Sequence, residues 1–243
     1  MDRIPLKAEP KLMDAVIQQM QVALGGGLTW LDHVFGKAER VEHNISELKQ
    51  YYQKHMHEEP FYTPAVYVGG GKYERIVPDM PDWGNYAFFY LDRRQELGDQ
   101  TRMMPYFTLK GEVNLIVYGD SRDIEREDDR NLEAIKSDIL QVLGGMQLTD
   151  GHVRWTEVIE NSEEVFAEYS IKEAYGQLLM HPYFAFRFVG EIECESGCVT
   201  PTVNPPSNDN GGDGNDNGGD GGDNGGDGGD NGENNNDGDN NEP

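Results

Sequence analysis

Residues 107–115 alternate cleanly. Phe107, Leu109, Gly111, Val113, Leu115 and Val117 point one way, and Thr108, Lys110, Glu112 and Asn114 the other. Side chains along a strand change face at every residue, so the pattern predicts a long strand with one apolar face. An almost wholly charged turn follows at 120–129. Leu132, Ile135, Ile139 and Leu143 then fall on one stripe at helical spacing, and Gly144-Gly145 closes it. Residues 107–143 therefore read as strand, acidic turn and amphipathic helix.

Upstream, Leu12, Val16, Met20 and Ala23 predict a first helix over 8–24, with Gly25-Gly26-Gly27 as its stop. Thr29 is placed to cap a second short helix carrying Trp30, Leu31, Val34 and Phe35, stopped at Gly36. Residues 42–59 are polar and fit either a partial helix through Leu48, Tyr51 and Tyr52 or a loop. A short strand is predicted over 62–68, where Pro64 favours an edge or a strand start. Residues 69–84, with three consecutive glycines, read as a long loop. Residues 85–91 hold Tyr86, Phe88, Phe89 and Tyr90, apolar on both faces as in a central strand. Residues 92–105 read as a polar connection, either a projecting loop or a wide hairpin.

Downstream, a strand is predicted over 153–159, and Asn161 and Ser162 can cap a short helix over 163–169. The last strong strand covers 183–194. Phe184, Phe186, Phe188 and Ile192 share one face with Gly190; Tyr183, Arg187, Glu191 and Glu193 share the other. The order is helix, helix, strand, strand, strand, helix, strand, strand. It predicts an α+β fold: a mainly antiparallel sheet of four to five strands with helices packed on one face.

Composition divides the chain. Residues 207–243 comprise 13 Gly, 11 Asn, 11 acids, one Ser and one Pro. A segment with nothing apolar to bury cannot offset the entropy of ordering, so a disordered acidic tail is expected there. Residues 199–206 form a proline-rich linker, and 1–198 form the α+β domain. The net charge is −25; the tail holds 11 of the 45 acids and none of the 20 bases, leaving −14 on the body. A body this acidic disfavours nucleic-acid binding, because phosphate contacts need a basic face. It does suit a surface past which DNA moves without sticking. Met1–Pro10 lacks the apolar run of a secretory signal, and no apolar run approaches the ~20 residues that cross a bilayer. Synthesis in a reducing cytoplasm is expected, with Cys194 and Cys198, the two cysteines, as free thiols.

Candidate chemistry is thin. Gly211-Gly212-Asp213-Gly214-Asn215-Asp216 and two copies of GGDGGDN resemble the start of a calcium-binding nonapeptide. Their spacing is seven, and the aliphatic residue that fills a calcium roll is missing, so the tail reads as a solvated linker. His55-Met56-His57 with Glu58 and Glu59 offers two ligands where a metal wants three or four. Cys194-x-x-x-Cys198 lacks the second pair of a zinc site. Gly69-Gly70-Gly71-Lys72 is followed by Tyr73 rather than Ser or Thr, unlike a phosphate loop. Asp120, Asp123, Glu125, Glu127, Asp128 and Asp129 read as a solvated turn rather than a cation site, with Asp128 or Asp129 stabilising the helix N-terminus. The aromatics of 86–90 and 183–188 read as core or interface, Arg187 being the only base among them. No catalytic, cofactor or metal residue is assigned, and a non-enzymatic protein is expected.

In order, several blocks resemble a structural protein of tailed bacteriophages of gut Bacteroidetes, the crAss-like group and its relatives. They are Trp30 to Arg40 (WLDHVFGKAER), Pro64-Ala65-Val66-Tyr67, and Gly84-Asn85-Tyr86-Ala87-Phe88-Phe89. Asp129-Arg130-Asn131-Leu132-Glu133 and Leu179-Met180-His181-Pro182-Tyr183 with Phe186-Arg187-Phe188 complete the set. The match runs over most of 10–194, and the acidic tail lies outside it. The layout is similar to tail-terminator and neck-ring proteins. The resemblance implies a virion structural protein of the neck or tail, made in the host bacterial cytoplasm. It implies a homo-oligomeric ring of six or twelve copies between portal and tail, with DNA passing through the lumen unbound and no membrane partner. The alternatives are a capsid-decorating or connector-adaptor protein and, in a different class, a calcium-dependent binder or an enzyme.

Overall fold

The computed structural model describes residues 2–43, 61–78, 83–98, 107–124, 131–149, 151–170 and 180–196. The chain divides into two units, Met1–Thr200 and Pro201–Pro243, and every described residue lies in the first. The expected linker and tail, residues 199–243, and the His55/His57 pair lie outside the described residues.

The fold is α+β. Among the described residues there are two α-helices, α1 (Met13–Gly27) and α2 (Leu132–Gly145). The strands are β1 (His33–Lys37), β2 (Glu39–His43), β3 (Phe61–Gly69), β4 (Lys72–Arg75), β5 (Tyr86–Leu97), β6 (Phe107–Asp120), β7 (Gly151–Glu160) and β8 (Tyr183–Ser196). Five strands form one sheet in the order β1-β5-β6-β8-β7, with β1 parallel to β5 and every other pair antiparallel. A second, antiparallel sheet has the order β2-β3-β4.

The alternation of β6 generates two cores. Val113, Leu115 and Val117 face both helices. They pack with Met13, Val16, Ile17, Met20 and Leu24 of α1, Ile135, Ile139 and Leu143 of α2, and Phe184, Phe186 and Phe188 of β8. Ile116 and Tyr118 face the other way, into a core with Phe35, Val66, Trp83, Tyr86, Phe88 and Phe166. Helices cover one face; the small sheet and the segment 163–170 cover part of the other. β5 is central, as its two apolar faces require, and is paired with β1 and β6.

Several elements differ from the sequence expectations. Trp30, Leu31, Val34 and Phe35 do not build a second helix; β1 occupies 33–37. Val34 enters the helix-side core and Phe35 the opposite core. A residue buried on each side of a sheet mimics helical spacing over so short a run. One residue, Ala38, separates β1 from β2; its N–H bonds Phe89 O at 2.7 Å as the chain passes from one sheet to the other. The supposed loop 69–84 contains β4, reached through a hairpin turn at Gly69, Gly70 and Gly71, whose φ values of 102°, 57° and 77° favour glycine. The first helix runs through its three glycines, and Gly27 packs against Val142 of α2. The segment after Ser162 is a 3-10 turn, Glu163–Phe166, rather than an α-helix. Asn131 caps α2, its side chain accepting from Glu133 N–H at 2.9 Å, while Asp128 and Asp129 lie outside the described residues.

The polar connection 92–105 is also revised in its first half. β5 continues to Leu97, pairing Gln95 with Gly111 and Leu97 with Leu109 after an irregularity that follows Leu91. Four long strands, β5, β6, β8 and β7, therefore run on beyond the layer that covers the second face.

Candidate functional site: the charged sheet face

Where the covering layer ends, β5 to β8 expose a concave face of about 540 Å³. Gly111 and Gly190 lie among its lining residues through their backbone; their Cα hydrogens point to the helix side, where a Cβ on Gly111 would meet Met13 of α1. A Cβ on Gly190 would stand 2.9 Å from the Trp155 ring, so glycine lets that ring lie close against β8. Register then arranges the charges in rows. Lys110 lies opposite Glu96 on one side and Glu193 on the other, and Glu193 lies opposite His152. Lys110 Nζ meets Glu193 at 3.0 Å, and His152 Nε2 meets the same carboxylate at 3.5 Å. In the next row Glu112, Glu191 and Arg154 are aligned, and the Arg154 guanidinium reaches Glu191 at 2.6 Å and 3.2 Å. Arg154 and Glu191 are well exposed, so their pair contributes about 0–1 kcal/mol. The face carries five carboxylates (Asp92, Glu96, Glu112, Glu191, Glu193) against three bases (Arg94, Lys110, Arg154), so it is net acidic.

At the inner end of this face lies Arg187. Its side chain is buried, and every nitrogen has work. Nε donates to Asn114 Oδ1 at 2.9 Å, while Nη1 and Nη2 form a fork on Glu168 at 2.8 Å and 2.5 Å. Nη1 also donates to Glu164 O at 3.1 Å, and Asn114 Nδ2 donates to Glu112 at 3.0 Å. Bidentate charge-assisted bonds of this kind are the strong ones. They fasten the segment 163–170 to the sheet, and that segment holds β3 in turn: Ser170 N–H donates to Tyr62 O at 2.9 Å and Tyr62 N–H to Ser170 Oγ at 3.0 Å. Beside this node burial pushes the Tyr169 and Tyr90 phenols above their usual range, with the Glu168 charge adding to the effect.

A second polar node holds the opposite end of the sheet. Buried Asn85 accepts from Asp120 N–H at 2.7 Å and donates to Trp30 O at 3.3 Å, and its own N–H donates to Asp32 at 2.8 Å. It joins the entry to β1, the start of β5 and the end of β6.

The residues weighed in the sequence are scattered. Lys72 is exposed at the start of β4, so the glycine run leads into a strand rather than into the helix that follows a phosphate loop. Asp120 caps a short turn and grips Arg122 through both oxygens; Glu125, Glu127, Asp128 and Asp129 lie outside the described residues. Cys194 is a free, buried thiol that burial pushes up, with Glu193 adding to the effect, and Cys198 lies outside the described residues. Among the described residues no three His, Cys, Asp or Glu side chains converge as metal ligands, and no helix is long and apolar enough to cross a membrane. Sequence reasoning missed both polar nodes. The signal for the first was Arg187 itself, a lone base in an aromatic strand.

No family model matches the chain, and no curated protein matches it.

Proposed function

We infer that the chain is a virion structural protein of the phage neck or tail, a ring subunit of the tail-terminator kind. In this reading it joins the head-side connector to the tail and lets DNA pass without specific binding. The observation that carries the reading is the charged sheet face. It is broad, backed by two helices, crossed by surface ion pairs, and net acidic. Turned toward a passage, such a face repels phosphate, and the acidity of the body acts in the same sense. Six or twelve copies, contacting neighbouring rings above and below, would complete the assembly.

The reading is tested by mass photometry of the purified full chain together with mass spectrometry of purified phage particles. The expected result is a closed oligomer and the chain's presence in the particles. A strict monomer at high concentration, absent from the particles, would sink the proposal.

A further inference from the structure

Among the described residues the outer strand β7 lies at the margin of the five-stranded sheet, with β8 as its one neighbour in the strand order. An open strand margin is a template for pairing with another chain. The sequence of β7 determines what suits it. Trp155 lies opposite Gly190 and Glu157 opposite Val189, so Thr156 is the extra residue of a bulge, and Trp155 and Glu157 count as consecutive ladder positions. Val153, Trp155 and Val158 pack toward the helix-side core. His152, Arg154 and, by register with Val189, Glu157 belong to the charged face.

We propose that β7 pairs antiparallel with β7 of a second copy, about a two-fold axis through Trp155, making one continuous ten-stranded sheet. Residues directly opposite in an antiparallel pair share a face. About this axis Arg154 stands opposite Glu157 of the second copy, and Glu157 opposite its Arg154. On the other face Val153 stands opposite Val158, twice, and the two Trp155 residues meet. The row Glu191–Arg154 is thereby extended by an acid, so Arg154 lies between two carboxylates. The adjacent registers that keep the faces aligned are excluded by charge: one sets Arg154 against Arg154, the other Glu157 against Glu157. The edge is thus self-complementary in one register. The pairing is isologous and does not rest on the ring reading, because ring closure joins unlike surfaces head to tail.

The test uses two full-length variants, Arg154→Glu and Glu157→Arg, in native mass spectrometry and analytical ultracentrifugation. Both side chains are exposed, so each variant folds, as circular dichroism and a cooperative thermal transition will verify; Arg154→Glu also gives up the exposed pair with Glu191, worth about 0–1 kcal/mol. Wild-type protein is expected to pair in even numbers. Each variant alone sets like charges opposite twice and should pair roughly 10- to 1,000-fold more weakly. Mixed together, the two should form the heterodimer, since the doubly acidic edge of one then meets the doubly basic edge of the other at both contacts. Overturning results are a wild type with no even-numbered species, single variants that pair as well as wild type, or a mixture in which no heterodimer forms. Absence of the chain from phage particles would overturn the ring reading and leave this pairing standing.

Discussion

Glu168→Ala removes one half of the buried fork that holds the segment 163–170 to the sheet. Arg187 would keep Asn114 and the Glu164 carbonyl but lose two charge-assisted bonds, of 2.8 Å and 2.5 Å. The next carboxylate, Glu112, is 3.9 Å away and half exposed, so it neutralises the charge poorly. Breaking a buried ion pair from one side costs about 3–5 kcal/mol. Because the Glu168 side chain keeps 18% of its exposure and water can reach its place, the expected cost is at the lower end, about 3 kcal/mol. For a domain of this size that is a fall in Tm of about 6–12 °C. Urea and thermal unfolding measure it. Hydrogen exchange should show the Ser170 amide, bonded to Tyr62 O, losing protection at the same time. Adding Arg187→Met should recover part of the loss, since it removes the buried charge that Glu168→Ala leaves uncompensated. A loss below about 1 kcal/mol, or a double variant weaker than the single one, would refute the reasoning.

Asn85→Ala should cost about 2–3 kcal/mol, because it leaves the Asp120 N–H and the Trp30 carbonyl without their partner in a buried place; chemical denaturation reads this directly. His33 stacks on Phe35, and its buried Nδ1 has no hydrogen-bond partner. Burial holds its pKa below the ordinary 6.5, against the opposing pull of Asp32. The unfolded chain therefore binds the proton more readily, so the stability due to neutral His33 is complete above pH 6.5 and is lost as pH falls from there toward the lowered folded pKa. His33→Gln should flatten the fall in Tm across that window.

The parts of the fold that were legible in the sequence are those with one buried and one exposed face. The outer halves of β6 (Thr108, Lys110, Glu112) and β8 (Glu191, Glu193) alternate, and α2 carries its stripe, because water on one side writes a polar residue at every return; the inner halves of both strands are buried on both faces. β1 looks helical in sequence because Val34 and Phe35 are both buried, in different cores. The outer half of β5 reads in sequence as a polar connection, a projecting loop or a wide hairpin, because Asp92, Arg94 and Glu96 face the open charged surface and leave no apolar alternation to see; the antiparallel pairing of β5 with β6 fits the hairpin. The candidate face was hidden for a related reason. Glu112 and Lys110 were assigned to one side of β6, but their partners on β5, β7 and β8 come from distant sequence, and only register brings them into rows. Arg187 showed itself as an anomaly; Glu168, which answers it, sits in a short turn with no periodicity of its own.

Electron microscopy of the intact phage particle, with this chain traced in the density, tests the assembly role most directly. The expected result is a closed ring of copies on the tail axis between portal and tail, with the charged face of β5, β6, β8 and β7 toward the passage. A position on the capsid surface, or density on the axis accounted for without this chain, would contradict it.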